Sequence, residues 1–119
     1  MRVNANIFRE YDIRGVVERD LAGEVPELIG RAYGSELRRI RQGASRLTVA
    51  LGRDNRPSSN GLAEGVARGL RAAGIDVIDV GTVPTPVLYH AAIKLETDGG
   101  IQITGSHNPP AYNGFKMVV

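Results

Sequence analysis

Apolar residues recur along the chain first at helical and then at strand spacing, and the switches between the two periods outline a fold. Val25, Leu28, Ile29, Ala32, Tyr33, Leu37 and Ile40 fall on one face of a helix over residues 25–42. Gly43 is placed to stop it. Leu47-Thr48-Val49-Ala50-Leu51 reads as a buried strand, and a polar loop runs from Gly52 to Asn60. Leu62, Val66, Leu70 and Ala73 make a second helical face, closed by Gly74. Ile75–Val80 is the next strand, with Gly81 after it. Thr85 is the expected N-cap of a further helix, with Pro86 at its first position and its end near Leu95. Gly100–Thr104 is a third strand, Asn113-Gly114 a turn signal, and Phe115–Val119 a fourth strand.

Strands alternating with helices predict an α/β fold: a layered mixed sheet of about four strands flanked by helices. The loop before the last strand is too short for a helical crossover, so that strand is expected antiparallel to its predecessor. Ligand sites in such sheets lie at the carboxyl ends of strands, which singles out the loops after Leu51, Val80 and Thr104. The chain stops inside an apolar strand at Val118-Val119, so residues 1–119 are expected to be one domain excised from a longer multidomain protein.

Composition narrows the function classes. A chain of 119 residues with 42% hydrophobic and 24% charged residues can fold as one globular domain. No apolar run approaches the ~20 residues of a membrane span, and the N-terminus has no signal-peptide stretch. Cysteine is absent, which removes disulfides, thiolate metal sites and a cysteine nucleophile. Together these point to the cytoplasm and to no membrane partner. The net charge is +2, from 15 basic and 13 acidic residues. All the basic residues but Lys94 and Lys116 are Arg, the better bidentate phosphate ligand. Only Arg38, Arg39 and Arg41 cluster, late in a predicted helix where cations suit the dipole, and they read as a solvated helix end. No basic stripe with interleaved aromatics is present, so nucleic acid is not an expected partner.

Three segments carry candidate chemistry. In Thr104-Gly105-Ser106-His107-Asn108-Pro109-Pro110, Gly105 permits a tight turn, and Ser106 becomes an exposed hydroxyl at a strand end among groups that move protons or fix hydrogen bonds. The alternative is a rigid turn with a solvent-facing serine. No Gly-x-Ser-x-Gly elbow is present, so a hydrolase triad is not implied. In Phe8-Arg9-Glu10-Tyr11-Asp12-Ile13-Arg14-Gly15, Arg14 and Tyr11 suit a phosphate; the alternative is an N-terminal strand with an ordinary ion pair. In Gly52-Arg53-Asp54-Asn55-Arg56-Pro57-Ser58-Ser59, two Arg near a helix start suit an anion; the alternative is local capping by Asp54 and internal pairing of Arg53. Lys116 interrupts an apolar strand, the usual mark of an edge guard.

These segments, with Val83-Pro84-Thr85-Pro86 and Tyr112-Asn113-Gly114-Phe115-Lys116, resemble in content and order the first domain of the α-D-phosphohexomutases. The similarity is greatest to the bacterial phosphomannomutase/phosphoglucomutase group and spans essentially the whole chain. Phosphoglucosamine mutases usually open with Gly-Thr-Asp-Gly-Ile-Arg-Gly and carry Asn-Gly-Ile-Lys later. Tyr11-Asp12-Ile13-Arg14-Gly15 and Asn113-Gly114-Phe115-Lys116 favour the hexose subgroup.

The resemblance implies that Ser106 carries a phosphoryl group and exchanges it with a hexose phosphate through a bisphosphorylated sugar. Ser106, His107, Lys116 and Arg14 are then the catalytic residues, with charge stabilisation by Arg14 and Lys116 and proton transfer by His107 or Lys116. Tyr11, Arg14, Ser106 and Asn108 are the substrate-binding residues, Asn108 also holding the loop. Mg2+ is expected on the Ser106 phosphoryl oxygen, with its other ligands in later domains, and hexose 1,6-bisphosphate as activator. The remaining domains of the same chain are the expected partners, so the isolated domain is expected to be inactive. The competing readings are a phosphoglucosamine mutase domain, a non-catalytic sugar-phosphate or protein-binding module, and an esterase. Binding alone requires no phosphorylatable serine, which disfavours the module.

Overall fold

The computed structural model describes residues 8–9, 12–106 and 108–118. Its strands are β1 (Phe8–Arg9), β2 (Asp12–Val16), β3 (Thr48–Arg53), β4 (Asp76–Thr82), β5 (Gly99–Ile103) and β6 (Tyr112–Val118). Its helices are α1 (Val17–Asp20), α2 (Val25–Ile40), α3 (Ser59–Ala72) and α4 (Thr85–Lys94). The strands form one sheet in the order β1-β2-β6-β5-β3-β4. β3 pairs in parallel with β4 and β5; β6 is antiparallel to β5, as its short connection requires, and to β2.

The core is asymmetric. The apolar stripes of α2 (Val25, Ile29, Tyr33, Leu37) and α3 (Leu62, Val66, Leu70) meet Ile13, Val49, Leu51, Ile101, Ile103 and Phe115 on one face. On the other face α4 covers only the β3–β5 end, through Leu88 and Ala92 against Ala50. The polar side chains of Asp12, Arg14 and Lys116 gather on the β2–β6 half of that face. β5, buried at every position, is the near-continuous apolar strand of a two-sided sheet.

α2 and α3, neighbours on one face of the sheet, are drawn close by glycines. A Cβ on Gly69 would stand 2.1 Å from the Glu27 carbonyl oxygen, and one on Gly30 would stand 2.3 Å from that of Val66. Gly74 ends α3 at φ +81, where the expected stop lies. Arg38, read as part of a solvated helix end, instead donates to the carbonyls of Ala73 (2.7 Å) and Gly74 (2.6 Å), satisfying the open end of α3.

Four expectations are corrected. The sheet has six strands rather than about four, because residues 8–9 and 12–16 add to its far side. Asn113-Gly114 is no turn: both residues lie inside β6, paired with Gly15 and Arg14. Gly114 is needed there because a Cβ would stand 2.1 Å from the Ile13 carbonyl oxygen. Thr85 opens α4 rather than capping it; Pro84, extended at φ −64 and ψ 152, holds the cap position. Finally, β6 lies between β2 and β5, so Lys116 guards no edge.

Candidate active site

The loops that leave β3 and β5 at their carboxyl ends lie side by side because the two strands are neighbours. The backbone N–H of Asp54 donates to the Ile103 carbonyl at 2.8 Å, extending the ladder one residue past β3. Beyond it the Asp54 carboxylate accepts from three groups: the Arg56 N–H at 3.1 Å, the Gly105 N–H at 2.9 Å, and the Ser59 hydroxyl. The Asn113 amide of β6 then donates to the hydroxyls of Ser58 (2.8 Å) and Ser59 (3.0 Å). The start of α3 and the β5–β6 loop are thereby joined through one carboxylate.

Burial pushes the Asp54 carboxyl upward. The bonds from Ser59, Gly105 and Arg56 and the charge of Arg56 outweigh burial and hold the carboxyl below its ordinary value. A lowered native pKa means stability present above the unfolded value and lost as pH falls through the native one. The Gly105 amide is therefore expected to keep its protection from hydrogen exchange through about pH 4, the ordinary aspartate value, and to lose it only below. Loss of protection centred at or above the ordinary value would contradict this coupling.

The Ser106 loop is held in an unusual backbone state. Ser106 has φ +52, in the left-handed region that non-glycine residues avoid. Its N–H donates to the Thr104 hydroxyl at 3.0 Å, and Thr104 N–H to the Gly114 carbonyl at 2.9 Å. The Arg56 guanidinium donates to the carbonyls of Ser106 (3.2 Å), Asn108 (2.8 Å), Pro109 (2.8 Å) and Tyr112 (3.0 Å). The Ser106 hydroxyl donates to none of the described residues and is half-exposed.

Arg14 reaches this loop from β2. It donates to Asn108 Oδ1 at 2.7 Å and to Asp12 Oδ2 at 3.0 Å, so its guanidinium is fixed on two sides. Lys116 stands directly opposite Asp12 in register, and Arg14 opposite Gly114. Arg14 and Lys116 are thus diagonal neighbours, with about 7–8 Å between such positions. Both project from the face away from α2 and α3, since Ile13 and Phe115 between them are in the opposite core. Lys116 is half-buried and forms no ion pair among the described residues.

The structure therefore brings together Ser106, Asn108, Arg14 and the strand bearing Lys116. Tyr11 and His107 lie outside the described residues. The anion reading of the β3 loop is not supported, because both guanidiniums are engaged within the domain: Arg53 with Asp79 (2.9 Å) and Asn60 (2.6 Å), Arg56 with the carbonyls above. Sequence reasoning missed the supporting roles of Arg56, Ser59 and Asn113. The Asp12–Arg14 pair was legible, since residues two apart on a strand share a face.

Two more observations bound the site. No group of three or more His, Cys, Asp or Glu among the described residues could hold a metal ion. No helix among them is long and apolar enough to cross a membrane.

The sequence and the fold are similar to those of known proteins. The family described as phosphoglucomutase/phosphomannomutase, alpha/beta/alpha domain I, matches residues 5–119. A phosphomannomutase/phosphoglucomutase of Pseudomonas aeruginosa is 54% identical over 115 residues, covering 97% of this chain and 24% of the relative. A phosphoglucomutase of Neisseria gonorrhoeae is 46% identical over 117 residues, covering 98% of this chain and 25% of the relative. The crystal structure of a phosphoglucomutase/phosphomannomutase family protein from Burkholderia thailandensis superposes with a TM-score of 0.86 at 50% identity, covering 98% of this chain and 26% of that one. The chain spans about a quarter of the length of these proteins.

Proposed function

Because this chain belongs to the phosphoglucomutase/phosphomannomutase family, we propose that it is the phosphoserine-bearing domain of an enzyme interconverting hexose 1-phosphate and hexose 6-phosphate, with mannose and glucose phosphates as the substrate class. The observation that carries this reading is Ser106. Its hydroxyl is held out at the end of β5, uncommitted among the described residues, beside an arginine fixed by Asp12 and Asn108.

In this reading phosphorylated Ser106 carries ~1.5 to 2 negative charges at rest. The P–Oγ bond breaks as a sugar hydroxyl oxygen bonds to phosphorus. The hydroxyl's proton goes to a neutral His107 imidazole or, if Lys116 is the base instead of a charge stabiliser, to its neutral amine, and Ser106 Oγ leaves as an oxyanion that takes a proton back from that same group. The product is a hexose 1,6-bisphosphate, which turns over and returns its other phosphoryl group to Ser106. Catalysis of such transfer is mostly positioning and charge stabilisation. Arg14 and Lys116 supply the charge, Asn108 orients Arg14, and Tyr11 contacts the sugar.

The described residues do not by themselves fit a Mg2+ site. Asp12 and Asp54, the carboxylates bordering the loop, are each paired with an arginine, at 3.0 Å and 3.4 Å. A Mg2+ ion bound to the phosphoryl oxygen would take its carboxylates from outside the described residues, and the roles above belong to this chain's own side chains.

The test is an isomerisation assay of the full-length protein with mannose and glucose 1-phosphates. Conversion to the 6-phosphates, stimulated by catalytic hexose 1,6-bisphosphate, is expected. Conversion of glucosamine 1-phosphate alone would transfer the domain to the glucosamine subgroup. No conversion of any of the three would contradict the mutase reading.

A further inference from the structure

We infer that Arg56 and Asp54 are positioning residues for Ser106, setting the backbone from which its hydroxyl is presented, so that their contribution falls on the transfer step rather than on substrate affinity. This rests on the phosphoserine reading of Ser106.

A guanidinium has five N–H donors in a planar fork. In Arg56 four of them meet backbone carbonyls of the β5–β6 loop and of β6, those of Ser106, Asn108, Pro109 and Tyr112, at 2.8–3.2 Å. Nε faces Asp54 Oδ2 at 3.4 Å. Carbonyls from this stretch of chain converge on one point only if the loop wraps around it. The side chain of Arg56 is 17% exposed, so the loop encloses it. Asp54 grips the same loop as well, its Oδ2 accepting from the Gly105 N–H. Gly105 must be glycine for this to fit, since a Cβ would stand 2.0 Å from the Arg56 guanidinium carbon. The residue held in the disfavoured left-handed conformation by this grip is Ser106 itself.

Lysine cannot reproduce the arrangement, because an ammonium is a point charge with three donors and no fixed fork. The Nη1 and Nη2 donors of Arg56 are taken by carbonyls of the loop and of β6, so it acts through Ser106 rather than on the sugar. Losing it lets Ser106 relax and misplaces the phosphoryl group, while Lys116 keeps its place in β6 opposite Asp12.

The experiment uses the full-length protein with Arg56→Lys, Asp54→Asn and Ser106→Ala, each assayed per folded molecule, with circular dichroism giving the folded fraction. For Arg56→Lys we expect kcat to fall about a hundredfold, the scale of a misplacement of about 1 Å, and KM to stay within about threefold. For Asp54→Asn the expected fall in kcat is about tenfold, again without a matching change in KM. A purely structural role would lower the melting temperature and the folded fraction but leave kcat per folded molecule unchanged; that result in the folded variants overturns the inference. A rise in KM with kcat intact overturns it equally. If Arg56→Lys does not fold, Asp54→Asn decides. Ser106→Ala with wild-type turnover would remove the phosphoserine reading itself, whereas an inactive Ser106→Ala beside an unimpaired Arg56→Lys would remove only this inference.

Discussion

Ser106→Ala in the full-length protein is expected to reduce hexose phosphate isomerisation to the background of the assay while leaving the melting temperature nearly unchanged. The two halves of this expectation have separate physical causes. The hydroxyl is the atom that accepts and donates the phosphoryl group, and alanine offers no nucleophile in its place. The fold loses little because the hydroxyl donates to none of the described residues. Alanine meets the same left-handed backbone at φ +52 that serine does, so the strain is common to both. The loop's bonds run through the Ser106 N–H and carbonyl, which the substitution keeps. A turn reading of Ser106 predicts the reverse pattern of unaltered turnover, and the isomerisation assay together with a melting curve separates the two.

Lys116→Ala is expected to lower kcat and kcat/KM together by about 10²–10³-fold, the range for removing one preorganised donor at a developing charge. The cost to stability should stay within about 1 kcal/mol, the span of strand propensity. Lys116 makes no ion pair among the described residues, and its strand is flanked by β2 and β5, so it has neither a partner to abandon nor an edge to protect. Arg14→Ala should slow transfer comparably but cost more stability, because it breaks the bond to Asp12 within β2 and the bond to Asn108 that ties β2 to the loop. Unchanged turnover with a large drop in melting temperature for Lys116→Ala would assign the lysine to the sheet rather than to the reaction.

The difference between these two residues also shows what a sequence can convey. β3, β4 and β5 and the helices between them were legible because their apolar periods are local; α3 stops at Gly74, whereas α4 stops ahead of Glu96 at φ +54. The place of Lys116 was not legible, because an edge guard and a site lysine differ only in whether another strand lies alongside. That strand, β2, comes about a hundred residues earlier in the chain, where Asp12↔Lys116 is the register pair. Asn113-Gly114 misled for a similar reason: the pair is a turn signal locally, but Asn113 is buried against Ser58 and Ser59 and takes its conformation from them. Arg56 was visible as a cation near a helix start, where an anion and local pairing were both open readings. Its acceptors are backbone carbonyls, which carry no side-chain signature. The Ser106 loop itself was legible as a motif, but its left-handed backbone at a non-glycine residue was not.

The account turns on whether Ser106 is the phosphoryl carrier, and the most direct measurement is where phosphate resides on the protein. The full-length protein is incubated with hexose 1,6-bisphosphate, digested, and its peptides are mapped by mass spectrometry before and after addition of excess hexose 1-phosphate lacking the activator. The account predicts phosphate on the peptide containing Ser106, at that residue, and its transfer to the sugar as hexose bisphosphate appears. Undiminished isomerisation with no phosphate at Ser106, or with the exchangeable phosphate on another residue, would contradict it.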